Sequence, residues 1–137
     1  MNILSKMKTG AISSLKSRIR SFFSQEFMKN SIVRWLLVGT VFLNVANWVF
    51  LAIFIHPVDF NIILHYNVYF GVDLIGDWWQ TYILPSMGIV FLLINFFLAH
   101  QFYRSGERIA SYILLLASLM IQIGLIIASV GIVLINY

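Results

Sequence analysis

Three long apolar stretches separated by two polar joints organise the chain. They run over about 35–55, 81–103 and 109–135, and none contains Lys, Arg, Asp or Glu. Each is near or above the roughly 20 residues that cross a bilayer's hydrocarbon. The pattern predicts three transmembrane helices in a domain spanning 35–137, after a basic segment over 1–34. Within that segment Leu4, Met7, Ala11, Leu15, Ile19 and Phe22 recur at three- and four-residue steps, with most of the lysines and arginines elsewhere on the wheel. This predicts an amphipathic helix lying in the membrane interface, although Gly10 weakens it; the plainer alternative is a loose basic leader. The fold class expected is thus an all-α membrane protein with an interfacial N-terminal helix and a short ordered outer cap.

The joints have signatures of their own. Asp77 to Gln80 reads as a capping box opening the second span, and Pro85 inside that span predicts a kink. In the turn 104–108, Gly106 is suited to end one helix and Ser105 to cap the next, so spans two and three should form an antiparallel hairpin. The segment 56–80 is longer than a usual connection. Leu64, Tyr66, Val68 and Phe70 alternate with His65, Asn67, Tyr69 and Gly71, a short strand pattern, and Gly71-Val72-Asp73 reads as a turn. Trp78, Trp79 and Tyr82 suit a headgroup belt.

Charge orients this pattern. All nine Lys and Arg lie in residues 1–34 or in the turn 104–108. The positive-inside rule then puts the N-terminus and that turn inside, and segment 56–80 and the C-terminus outside. The chain is 61% hydrophobic and 10% charged, against about 25% charged for soluble domains. The formal net charge of +4 precedes a membrane span, so anionic lipid headgroups, not nucleic acid, are the expected partner of the N-terminal segment. There is no cysteine, which removes disulfides, thiolate catalysis and thiolate-ligated metals. No signal-peptide cleavage pattern follows the first span, and the location expected is a bacterial inner membrane. The acid-free, serine-bearing first 25 residues leave a mitochondrial inner membrane as the alternative.

Amides inside the spans matter next. Asn44 and Asn47, with Thr40, share one face of the first span, while Asn95 lies in the second and Gln122 in the third. Counted at 1.5 Å per residue, Asn44, Asn47 and Gln122 sit near the bilayer midplane and Asn95 a few ångströms inward of it, which predicts a bundle with these faces inward. Interhelical glue is the simpler role, and a polar site for an ion or small ligand the sharper one. On the third span Ala110, Ala117, Gly124, Ala128 and Gly131 form a small-residue seam beside a stripe of Ser111, Ser118, Gln122 and Ser129. The seam invites close approach by span one or two, or by a helix of another protein.

The outer segment carries His56, Asp59, His65, Asp73 and Asp77, in a spacing that matches no standard metal site. No nucleophile–base arrangement is visible, so neither an enzyme nor a cofactor is expected. His65-Tyr66-Asn67, with Asp73 and Gly76 following and a span holding Pro85 after them, resembles a domain of unknown function found in small bacterial membrane proteins, including SdpI-type immunity proteins. The resemblance covers about 35–100. In that family a His-Phe-Asn element, a glycine and a Pro-Asp pair occupy the outer segment. Here Tyr66 replaces the Phe, Gly71 falls one place later and Val72 stands where the proline would be. The resemblance implies a bacterial multi-pass membrane protein, for some relatives one conferring immunity to a membrane-active toxin or sensing it, and marks His65, Asn67, Gly71, Asp73 and Gly76 as motif positions. The functional expectation is a non-enzymatic protein that meets a partner through its outer segment. The alternatives are a subunit docked by the seam, or a small oligomeric channel lined by the amides.

Overall fold

The computed structural model describes residues 26–136. The expected interfacial helix over 1–30 lies mostly outside them; its last residues form a single turn, α1 (Glu26–Lys29), packed against the bundle rather than apart from it. Three long helices follow: α2 (Ser31–Phe54), α3 (Ile83–Arg104) and α4 (Arg108–Asn136). All three are long and apolar enough to cross a membrane. Between α2 and α3 lie two antiparallel strands, β1 (Ile62–Asn67) and β2 (Gly71–Gly76), and a 3-10 turn over Trp78–Tyr82. α4 is the central helix and packs along both α2 and α3, which touch each other much less.

Local chemistry explains the helix ends. α2 begins at Ser31, ahead of the expected Trp35, because Asn30 caps it: Asn30 Oδ1 accepts from the amides of Ile32 at 2.9 Å and Val33 at 3.4 Å. The Asp77 capping box does not form. The Asp77 carboxylate instead accepts from the Trp79 indole at 3.2 Å, and a 3-10 turn separates it from α3. α3 therefore starts late, and Pro85 falls in its first turn, where its missing N–H costs nothing and the reason for a kink disappears. α3 ends in a Schellman motif: the Glu107 amide donates to Phe102 O at 3.0 Å and the Gly106 amide to Tyr103 O at 3.2 Å, with Gly106 at φ 90°. Ser105 does not cap α4, since its hydroxyl turns back to Gln101 O at 3.2 Å.

The bundle is polar inside and apolar outside. α2 buries Thr40, Asn44 and Asn47 while exposing Trp35, Phe42, Val45 and Val49. α4 buries Ser111, Ser118, Gln122 and Ser129 while exposing Ile113, Met120, Ile127 and Leu134. In water this arrangement would forfeit the apolar burial that drives folding; in hydrocarbon it satisfies polar groups internally and gives Leu, Ile, Val and Phe to lipid. Apolar clusters close both ends. At the hairpin end, Leu51, Ile55, Ile62, Ile132 and Val133 pack together. At the turn end, Phe27 joins Val33, Ala99 and Leu115, its ring edge-on to Phe96, His100 and Tyr103 at 5.8, 5.3 and 5.2 Å.

Candidate functional site: the docked hairpin and the amide cluster

Segment 56–80 folds as a β-hairpin on one end of the bundle. The strand expected from Leu64 onward is present, but the turn is Val68-Tyr69-Phe70, and Gly71-Val72-Asp73 belongs to β2. Two local devices fix that turn. Asn67 Oδ1 accepts from the Tyr69 amide at 2.9 Å, and Gly71, paired with Asn67, adopts φ 81°, a left-handed value that glycine reaches without strain. The pairing register shifts at Leu64 and again at Asp73, irregularities of the kind that re-aim side chains. His65 Nδ1 and Asp73 Oδ1 come within 2.7 Å across the strands, both in solvent. Gly76 sits against the side chains of Gln80 and Leu64, which occupy the space a Cβ would need. All five motif positions thus lie in the hairpin. Asn67, Gly71 and Gly76 shape its backbone, and His65 and Asp73 pair with each other.

The hairpin is docked, not tethered. Asn136, in the last turn of α4, presents its side-chain amide to β1 as a neighbouring strand would. Its Nδ2 donates to Ile63 O at 2.7 Å, and its Oδ1 accepts from the Ile63 amide at 2.9 Å. The same Nδ2 reaches Ile132 O at 2.8 Å. Ile62, beside this clamp, inserts into the Leu51–Ile132 cluster. An apolar cavity of about 310 Å³ lies under the sheet, walled by Leu64, Leu74, Ile83, Leu84 and Ile132, with Thr81 and Gln80 at its edge. The turn itself projects: Val68, Tyr69 and Phe70 are 84, 91 and 85% exposed. Among the described residues no three or more His, Asp or Glu converge as a metal cluster would; His56, Asp59 and Asp77 stand apart from the His65–Asp73 pair.

Inside the bundle the four expected amides part company. Asn44 Nδ2 donates to Gln122 Oε1 at 3.1 Å and to Pro85 O at 2.9 Å, and Gln122 Nε2 donates to Gly88 O at 2.8 Å. These bonds join all three long helices at one level. Gly88 is what lets them meet, because a Cβ there would lie 2.6 Å from Gln122 Oε1 and 2.7 Å from Asn44 Nδ2. Asn47 is fully buried with neither amide atom hydrogen-bonded. Asn95 is half-buried and takes no part in the network. The Ala/Gly seam does not make the close contact expected within the chain. Gly124 and Ala128 are exposed, and nothing lies within 4 Å of a Cβ built on Gly124 or Gly131. The neighbouring stripe of Ser111, Ser118, Gln122 and Ser129 faces the other helices instead.

Four residues escaped the sequence reading. Asn136 is one amide in an otherwise apolar last turn, and Gly88 falls at the depth of Asn44 and Gln122; both signals were present. Asn30 before an apolar run is an ordinary N-cap signature. Phe27 in a basic leader gave no sign of its burial. No family model, curated protein or solved structure matches this chain.

Proposed function

We propose that this is a non-enzymatic, multi-pass protein of a bacterial inner membrane that works by binding a partner protein through its hairpin, in a sensor, immunity or accessory role. The N-terminal segment and the 104–108 turn face the cytoplasm, and the hairpin faces outward. The observation that carries this reading is the turn Val68-Tyr69-Phe70, three consecutive apolar residues held almost fully exposed on a docked support. Aromatic side chains presented on a rigid element are what interface anchors are made of, because little ordering entropy is lost on binding. The resemblance of 35–100 to SdpI-type immunity proteins suggests one partner class, a membrane-active toxin. A photo-crosslinking residue placed at Tyr69 in native membranes should yield one discrete protein adduct, lost on Phe70→Ser. Labelling of lipid alone would refute the hairpin as a protein-binding element.

A second reading is favoured by the open seam. With Gly124 and Ala128 exposed, α4 offers a face on which a helix of a larger complex could seat. Gly124→Leu would then release the protein from that complex, and undisturbed co-purification would count against it. The channel reading has less support: the Asn44–Gln122 bonds are closed within one chain, which suits glue better than a pore lining.

A further inference from the structure

The turn end of the bundle carries a second feature, unrelated to the hairpin. The Schellman turn at Gly106 reverses the chain so tightly that Arg104, at the end of α3, and Arg108, at the start of α4, open onto one cleft. That cleft measures about 430 Å³ and is lined by Glu26, Phe27, Tyr103, Arg104, Gly106 and Arg108. The Arg108 guanidinium lies over the Tyr103 ring, its Cζ 5.4 Å from the ring centroid, which holds it beside the cleft. Its ion-pair partner is Glu26 at 3.6 Å, a long pair between exposed side chains, while Glu107, next to Arg108 in sequence, belongs to neither ion pair among the described residues. Arg104 belongs to neither of the ion pairs among the described residues. The lining of the cleft therefore holds two guanidinium groups against one loosely engaged carboxylate, with Glu107 outside it, where the positive end of the α4 dipole meets the negative end of the α3 dipole.

We infer that this cleft binds a phosphate group, and that the phosphate is the headgroup of an anionic lipid. Guanidinium groups recognise phosphate oxygens through paired N–H donors, and two of them converging from successive helices can hold one phosphate from both sides. Glu26 is positioned to be displaced, since an exposed pair at that distance is weak. The lipid source follows from depth. Arg104 and Arg108 bound the two apolar spans, so the cleft lies where headgroups lie if the helices cross a bilayer. Exposed Phe102 and Ile109, next to the arginines in sequence, offer apolar surface to an acyl chain. The inference rests on the membrane reading above and is independent of what the hairpin binds.

Native mass spectrometry of the full chain, in detergent with phosphatidylglycerol or an uncharged glycolipid titrated in, tests it. One phosphatidylglycerol molecule should be retained in preference to the glycolipid. Each arginine near an anionic surface is worth about fivefold in affinity, so R104Q/R108Q should weaken retention by about 25-fold. R104K should fall between, because a lysine keeps the charge and loses the planar fork. The charge-matched variant K16Q/R18Q, in the basic N-terminal segment, should weaken retention much less than R104Q/R108Q. Equal loss in both double variants would reduce the effect to general basic attraction and overturn the site. Displacement of the lipid by millimolar inorganic phosphate would overturn the lipid as the source. Retention of glycolipid and phosphatidylglycerol alike would overturn phosphate recognition.

Discussion

Gly88→Ala reverses the sign expected of a helix glycine. In an ordinary helix interior, Gly→Ala stabilises by about 0.5–1 kcal/mol because alanine loses less backbone freedom on folding. At Gly88 the new methyl would stand 2.6 Å from Gln122 Oε1 and 2.7 Å from Asn44 Nδ2. Both atoms end side chains that could swing away on an open surface. Here they are buried and bound, so moving them breaks the bonds Asn44–Gln122, Asn44–Pro85 O and Gln122–Gly88 O. Hydrogen bonds between membrane helices are worth about 0.6–2 kcal/mol each. Losing two or three of them, offset by the propensity gain, gives a net destabilisation of roughly 0.2–5.5 kcal/mol. The assay is SDS-driven unfolding in mixed micelles followed by tryptophan fluorescence, with Gly124→Ala as the control. Gly124 has nothing within 4 Å of an added Cβ, so its alanine variant should be neutral or slightly stabilising. If Gly88→Ala matched Gly124→Ala, the three-helix amide junction would not be what holds the bundle at that level.

Asn136→Ala removes both bonds to Ile63, worth about 1 kcal/mol each, so hydrogen exchange of the Ile63 amide should quicken by about 30-fold; unchanged protection would mean the sheet is held by packing alone. Asn47→Leu should stabilise the bundle by about 1–2 kcal/mol in the SDS assay, since it replaces two buried, unbonded polar atoms with apolar volume; destabilisation would show that Asn47 has a partner outside the described chain. Phe27→Ala empties a fully buried ring site and should cost about 3–5 kcal/mol, whereas a loss under 1 kcal/mol would mean α1 is not seated in that cage.

The three long helices were legible because hydropathy over 20 residues is a strong, additive signal and the outward-facing residues dominate it. Inward faces were legible from Asn44 and Gln122, since an amide in hydrocarbon has to point at a partner. What sequence did not decide was which of two adjacent stripes on α4 meets the other helices. Small residues permit close approach without compelling it, whereas Ser111, Ser118, Gln122 and Ser129 have polar groups that hydrocarbon penalises, and their stripe turned inward. The turn falls at Val68-Tyr69-Phe70 and not at Gly71-Val72-Asp73 for a related reason. A glycine signals a turn, but the left-handed φ of Gly71 serves just as well at the first residue of β2, and alternation alone does not separate the two. The Asp77 box fails because the Trp79 indole donates to the carboxylate and the Gln80 amide donates to the Asp77 backbone carbonyl instead. In a contact across the chain such as Asn136 with Ile63, the lone amide marks one end, and nothing in the sequence around Ile63 marks the other.

That last contact sets an order of events during synthesis. Ile63 and Asn136 are 73 positions apart. At roughly 5–20 residues per second, the ribosome delivers β1 about 4–15 s before the residue that clamps it. An isolated two-stranded hairpin is marginally stable at best, so for those seconds the sheet lacks Asn136 and the Ile132–Val133 wall alike. Arrival of the last turn of α4 then completes the sheet's edge and its floor together. The exposed Val68-Tyr69-Phe70 tip consequently stands on its full base only in chains whose third long helix is in place.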